Sequence, residues 1–457
     1  GREKPLVFIG DNECTMEITE VQLNRRAVVC RVVHDATRGE PIGDRKGFTI
    51  RGVEINIPAF TREDGLKLSA VLKADVEGAQ SPDHERVLTH IGLSFCQTGH
   101  DVCRAIYFML GQHYAWTLRE SGLTRQSMPP EFIVPALFYL PDIIAKIETR
   151  TGLDNLEDIL DYADGVMIAR GDLALQMQTV EVPAAAKQIV DKASRGKTVI
   201  MATQMLESMR KNIECSRPEA FDVFNAVVDG VDAVMLSGET SVGRYPEHAI
   251  RKMRDLAAHA EAFQTERDPS ASHVDRYAAE LTPAARERLR RRWNNIVAIA
   301  NERWTQRMCA PDEFYMVAEI FNDKNRRLDE QESTDRITHA ACRMAADGQV
   351  TGIVAPTNSG RTVRMLARFR PPQWIFAEPH HEYPARKLSM VWGAWIAAVI
   401  PNVEGMEVDD LMSLSWPHLQ ELRGQPIIFI CGTPIGTVGT TNLLSRTSVP
   451  PPSAGTV

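Results

Sequence analysis

Short apolar runs recur along the chain from His90 to Phe95, Ile143 to Glu148, Gly165 to Arg170, Thr198 to Thr203 and Ala233 to Ser237. Amphipathic or Ala-rich stretches, such as Val182 to Ser194 and Glu219 to Asp229, separate the last four. Continuous apolar strands alternating with helices predict a parallel sheet covered on both faces. Residues 1–52 show a different pattern, with β-branched runs at Leu6 to Ile9 and Arg26 to Val33 between polar turns, which predicts a small β domain. The α/β pattern returns at 334, with strands at Ile353 to Thr357 and Gln425 to Cys431 and a helix from Val363 to Arg368. Residues 111–140 and 263–333 fit neither pattern and read as surface insertions. The second crowds Arg286, Arg288, Arg290, Arg291 and Arg292 ahead of Trp293, which suits a solvated helical face. The expected division is therefore 1–52, 53–262, 263–333, 334–446 and a Pro-rich tail, 447–457, whose Pro450-Pro451-Pro452 should fray.

Composition narrows the function classes. The 457 residues carry 52 Lys and Arg against 60 Asp and Glu, a net charge of -8, which argues against a nucleic-acid binder. Hydrophobic residues at 44% and charged residues at 25% exclude bulk disorder. The longest apolar run, Val391 to Ile400, is about half of the ~20 residues a membrane span needs, so no membrane partner is expected. The 8 cysteines form no CxxC pair and no zinc spacing, which suits free thiols in a reducing cytoplasm. The opening Gly1-Arg2-Glu3-Lys4 lacks Met and any signal-peptide pattern, as in a mature N-terminus, a boundary or a fragment.

The candidate chemistry sits at strand ends, which form the catalytic face of a β/α barrel. Strand alternation puts Lys146 and Glu148 on one face. They are either a structural ion pair or a phosphate-directed Lys beside a metal-binding carboxylate. Arg170-Gly171-Asp172 follows the next strand. Gly171 lets a backbone approach a ligand, and N–H groups at a helix start there would bind an anion. Asp172 would be a second carboxylate for the cation held by Glu148, and two carboxylates plus waters and substrate oxygens suit Mg²⁺. Thr203 and Ser237 add hydroxyls at the next two strand ends, although such residues are commonly helix N-caps. In the C-terminal region, Thr357, Asn358, Ser359, Gly360, Arg361 and Thr362 join a strand to a helix, as a phosphate-binding loop or a capped helix start.

These blocks together resemble the pyruvate kinase family. The resemblance rests on Ala145-Lys146-Ile147-Glu148, Ala169 to Leu173, the unbroken Ala202 to Met209, Asn225 to Asp232 and Met235 to Thr240. It continues in Thr357 to Thr362, which looks like the family's effector loop. Gly432 to Asn442 resembles its last strand, and Gly43-Asp44-Arg45-Lys46-Gly47 the end of its small lid domain. The matches cover roughly 1–105, 141–262 and 334–446. The implied fold is α/β: a partial (βα)8 TIM-type barrel with a small β lid domain and a C-terminal α/β domain. The implied reaction moves phosphoryl from phosphoenolpyruvate to ADP, giving pyruvate and ATP in glycolysis. The resemblance makes Lys146 the group that stabilises the phosphoryl in flight, and Glu148 and Asp172 the Mg²⁺ ligands. Gly171, Asp172 and Thr203 would receive the substrate carboxylate, Lys46 would touch the nucleotide, and Ser237 would route a proton. It further implies K⁺, a sugar-phosphate effector, a homotetramer and a cytoplasmic location.

The departures are part of the expectation. The family barrel has eight strands, and the pattern here supplies five, all after the lid. The three that would precede the lid carry the family's Arg-x-Asn-x-Ser segment, with its nucleotide and K⁺ contacts, and its Asp-Thr-Lys-Gly segment. Five strands cannot close such a barrel. The chain is then a fragment, a chain completed by another, or a relative kept for binding or regulation and impaired in turnover. Arg217-Pro218-Glu219 replaces the family's Arg-Ala-Glu at little cost, and Phe221 brings bulk that is expected to crowd the site.

Overall fold

The computed structural model describes residues 5–10, 13–37, 48–51, 53, 57–79, 87–121, 140–193, 196–267, 328–433, 435 and 441–451. Lys46 with the rest of 43–47, residues 122–139 and the Arg-rich run in 268–327 lie outside the described residues. The described chain forms three sheets.

The first sheet comprises β1 (Leu6–Ile9), β2 (Cys14–Gln22), β3 (Ala27–Asp35) and β4 (Phe48–Ile50), in the order β3-β2-β1-β4 with antiparallel neighbours. Only its base is packed: Val7, Phe8 and Cys14 are buried, while Val28, Val29, Val32 and Val33 on β3 are exposed. Arg51, just after β4, stacks its guanidinium 4.4 Å over the Phe8 ring. It donates hydrogen bonds to the carbonyls of Ala174 and Leu175, at 3.3 and 3.2 Å, tying this sheet to the second.

The second sheet contains β5 (His90–Leu93), β6 (Asp142–Ile147), β7 (Gly165–Ala169), β8 (Thr198–Ala202) and β9 (Ala233–Val234). All pairs are parallel, and spatial order equals chain order, as strands are laid down in a barrel. Around them run α1 (Arg62–Ala79), α2 (Gly99–Ser121), α3 (Arg150–Asp154), α4 (Leu156–Tyr162), α5 (Arg170–Gln176), α6 (Val182–Ala193), α7 (Arg217–Asp229), α8 (Gly238–Ser241) and α9 (Pro246–Arg267). The start of α7 shows how the sequence sets an element: Ser216 and Glu219 close a capping box, with Pro218 in the first turn where no N–H is needed. Because the strands are parallel, all their C-terminal ends share one edge, and the core beneath it holds Ile147, Ile168, Leu173, Met205 and Leu206, all fully buried.

The third sheet, order β12-β11-β10-β13-β14, uses β10 (Gly352–Thr357), β11 (Trp374–Pro379), β12 (Ala394–Ile396), β13 (Pro426–Cys431) and β14 (Leu443–Ser448). Only the β13–β14 pair is antiparallel. α10 (Leu328–Met344), α11 (Arg361–Ala367), α12 (Glu382–Leu388) and α13 (Val408–Ser415) cover it, with a separate apolar core on each face. β14 corrects the reading of a tail beginning at residue 447. Thr447 and Ser448 pair with Ile427 and Pro426, and Val449 is buried, so the strand ladder runs past residue 446 and stops short of Pro450.

Candidate active site

The C-terminal edge of the second sheet gathers Lys146, Glu148, Gly171, Asp172, Thr203 and Ser237 on successive strand ends. Lys146 Nζ lies 2.7 Å from Glu148 Oε1, so the alternation read from the sequence does bring the two charges together. The carboxylate is sealed: Glu148 is 1% exposed, and its Oε2 accepts the Phe95 N–H at 2.5 Å. A buried carboxylate needs such partners, because an unpaired buried charge is strongly penalised. The lysine side chain keeps 26% exposure and also donates to Ser94 Oγ at 3.2 Å. The anion is thus locked into the protein while the cation reaches the open edge. Ser94 and Phe95, which follow β5, were missed by sequence reasoning. The Phe95 donor depends on a left-handed backbone, φ 52°, that its residue type gives no sign of.

On the neighbouring strand ends, Thr203 Oγ1 accepts the Gly171 N–H at 2.9 Å. The two groups expected to meet a substrate carboxylate are therefore bonded to each other. Thr203 and Gln204 both have positive φ, 67° and 54°. For a β-branched Thr that conformation costs about 1–3 kcal/mol and needs outside support. Arg170 supplies it by donating to the Thr203 carbonyl at 2.6 Å and pairing with Asp222 of α7 at 2.5 Å. A Cβ built on Gly171 would come no closer than 3.6 Å to other protein atoms, so backbone and ligand have room to meet there.

Ser237 follows β9, and its buried Oγ has no hydrogen-bond partner among the described residues. Buried polar atoms are rarely left so, and a ligand or water is the usual resolution. Glu239, fully buried, lies within the Met235 to Thr240 block. Its two oxygens take the Leu206 and Ser237 N–H groups at 3.0 and 2.8 Å, splinting the loops after β8 and β9 together. Glu219 accepts from both the hydroxyl and the N–H of Ser208. Burial pushes its carboxyl up, but these bonds and those from Ser216 outweigh burial and hold it below the ordinary value. Phe221 is corrected: at 70% exposure it points outward from α7 and does not crowd the edge.

Two carboxylates flank this edge. Register pairs Ile147 with Ile168, so Glu148 and Asp172 follow adjacent strands on one edge, Asp172 half-buried in the first turn of α5. No group of three or more His, Cys, Asp or Glu that could hold a metal occurs among the described residues. Mg²⁺ binds through one or two carboxylates, with waters and phosphate completing its shell.

The loop after β10 spends part of its chemistry on itself. Thr357 Oγ1 accepts the Gly360 N–H at 3.0 Å, and Thr362 Oγ1 lies 2.8 Å from Thr441 Oγ1 in a buried pair. Gly360 has φ +79°, and a Cβ there would press on Leu388 at 3.0 Å, so the turn requires glycine. No side chain caps α11. Asn358, Ser359 and Arg361 are half-buried.

The pyruvate kinase barrel-domain profile matches residues 141–250, and the pyruvate kinase alpha/beta-domain profile matches residues 335–445. A pyruvate kinase of Staphylococcus haemolyticus is 29% identical over 443 residues, covering 96% of this chain and 59% of that protein. One from Geobacillus stearothermophilus is 28% identical with the same coverage. The chain thus spans about 59% of the length of these curated relatives. The crystal structure of a pyruvate kinase from Cryptosporidium parvum superposes with TM-score 0.67 at 25% identity, covering 98% of this chain and 74% of that one.

Proposed function

This chain belongs to the pyruvate kinase family, and on that premise we propose that its strand-end edge transfers phosphoryl from phosphoenolpyruvate to ADP. The observation that carries the reading is the Lys146–Glu148 pair, a locked anion beside a cation that reaches the open edge. Phosphoryl transfer needs positioning and positive charge more than covalent chemistry. Lys146 supplies that charge to the moving group. Glu148 and Asp172 would hold Mg²⁺, which when bound neutralises charge on phosphoryl and enolate oxygens. Thr203 Oγ1 and the Gly171 N–H exchange their mutual bond for the substrate carboxylate. The Ser237 hydroxyl, without a hydrogen-bond partner among the described residues, holds the proton path to the enolate carbon. Lys46 contacts the nucleotide, and Ser359 and Arg361 receive a sugar-phosphate effector. The reading keeps the five-part division of the chain, K⁺ as the family's second ion, a homotetramer and the cytoplasm. The test is ³¹P NMR of phosphoenolpyruvate, ADP and Mg²⁺ with the wild type and Lys146→Met. The reading expects the variant to lose at least about 10²-fold in rate; equal rates in the two would refute it.

One observation favours a second reading for these 457 residues by themselves. The described residues supply five parallel strands, and an open sheet would leave the edge short of positioned groups. On this reading the chain binds its ligands and regulates or is regulated, with little turnover. A coupled pyruvate assay that returns an ordinary kcat from this chain excludes it.

A further inference from the structure

Between the N-terminal edge of the second sheet and α11 lies a cavity of about 20 Å³. It is on the opposite side of that sheet from the candidate active site: Thr198, the first residue of β8, and Asp232, just before β9, line it. Three cationic residues, Lys197, Arg364 and Arg368, also line it, against the single acidic residue Asp232; the Lys197 ammonium donates one hydrogen bond to the Ala163 carbonyl at 2.7 Å.

That carboxylate is already committed. Its Oδ1 lies 2.8 Å from Arg370 Nη2 and its Oδ2 accepts the Val199 N–H at 2.7 Å. Each lining arginine meets a carboxylate at its tip, and the Arg368 guanidinium also lies 4.4 Å over the Phe369 ring. Arg364 Nη2 sits 2.6 Å from Asp142 Oδ2, and Arg368 Nη1 lies 3.5 Å from Asp335 Oδ1. The Nε atoms of both are buried and have no acceptor among the described residues, and Arg368 as a whole is only 9% exposed. A guanidinium cannot shed its proton, so an unmade bond there can be relieved only by bringing in an acceptor. The cavity is large enough for one body the size of a water molecule. A net positive lining of low dielectric favours a negative charge over a neutral one.

We propose that this cavity binds one small inorganic anion of chloride size, accepting the Nε–H groups of Arg364 and Arg368 with the Lys197 ammonium beside it. The anion would join the second sheet to α11, the helix that leaves the Thr357–Thr362 loop, and the proposal stands independently of the catalytic reading.

Crystals of the wild-type chain grown in sodium bromide test it directly, since bromide substitutes for chloride and scatters anomalously. The expected result is an anomalous peak in the cavity within hydrogen-bond distance of both Nε atoms. Density there without anomalous signal means a buried water, and overturns the proposal. In solution, ³⁵Cl NMR line broadening is measured at fixed ionic strength, with gluconate as the replacement anion. Arg368→Met and Lys197→Met should each weaken the chloride affinity about tenfold, the usual scale for a lost charged contact. Broadening that is equal in the wild type and in a folded Lys197→Met protein counts against the site.

Discussion

Two buried glutamates stand at the C-terminal ends of parallel strands, one in each large sheet, and among the described residues only one has a charge partner. Glu148, at the end of β6, meets an ammonium with one oxygen and a backbone N–H with the other. Glu378, on β11, meets only the Ser415 hydroxyl of α13, at 2.6 Å, and its second oxygen has no partner among the described residues. The two are equally hidden, at 1% and 0% exposure. Burial therefore does not mark a site; what the buried group faces does. With nothing but desolvation against one hydroxyl, Glu378 is pushed up to about 7. Well below that pH it sits as a neutral acid, a structural hydrogen-bonding group rather than an ion for binding cations. Glu148 instead faces the Lys146 ammonium and the Phe95 N–H.

The largest effect that breaks this comparison is Lys146→Met. It strands the buried Glu148 charge, and the cost should be about 3–5 kcal/mol, read as a lower denaturation midpoint. The double variant with Glu148→Gln should recover most of that loss, because the uncompensated charge is then gone. If the single variant is as stable as the wild type, the pair is not what seals the edge.

The next effect sharpens the other half. The Glu378 carboxyl has a raised value when folded, so the stability it contributes is fully present below its ordinary value of 4.5 and is lost as pH rises through about 7. His380, two residues on, is lowered to about 4, chiefly by burial. Its contribution runs the other way, present above 6.5 and lost as pH falls through about 4. The two slopes oppose each other between 4.5 and 6.5, so the wild-type profile alone does not separate them. Glu378→Gln removes one. Relative to the wild type it should gain on the order of 2–3 kcal/mol between pH 4.5 and 8, measured by urea unfolding at several pH values. A difference independent of pH contradicts the neutral-acid assignment.

A smaller effect is expected from Arg170→Gln. It removes the support beneath the left-handed Thr203 and Gln204 turn and the partner of Asp222. The loss should be about 1–3 kcal/mol by urea midpoint, with weaker protection of the amides at the end of β8 in hydrogen exchange. No change in that protection would show that the turn is held by something else.

The sequence made much of this edge legible because parallel strands are buried on both faces and read as unbroken apolar runs. The pattern predicts five strands where β5 to β9 lie, and period-two alternation pairs Lys146 with Glu148. What it did not show are features that depend on backbone dihedrals or on distant partners. The Phe95 N–H reaches Glu148 across 53 residues through a positive φ no residue type announces. Glu239 joins two loops by backbone N–H groups, which carry no sequence signature. β14 escaped because the prolines after it suggested a tail, while its own Leu443–Ser448 alternates too weakly to stand out. Phe221 suggests crowding because its bulk is visible in the sequence and its direction on α7 is not.

The central claim is that Glu148 and Asp172 make a cation site beside Lys146, and Mn²⁺ binding followed by electron paramagnetic resonance tests it without any need for turnover. The wild-type chain should bind one Mn²⁺ displaced by Mg²⁺, with Glu148→Gln and Asp172→Asn each weakening it about tenfold or more. Mn²⁺ binding that is unchanged in both variants would contradict the account.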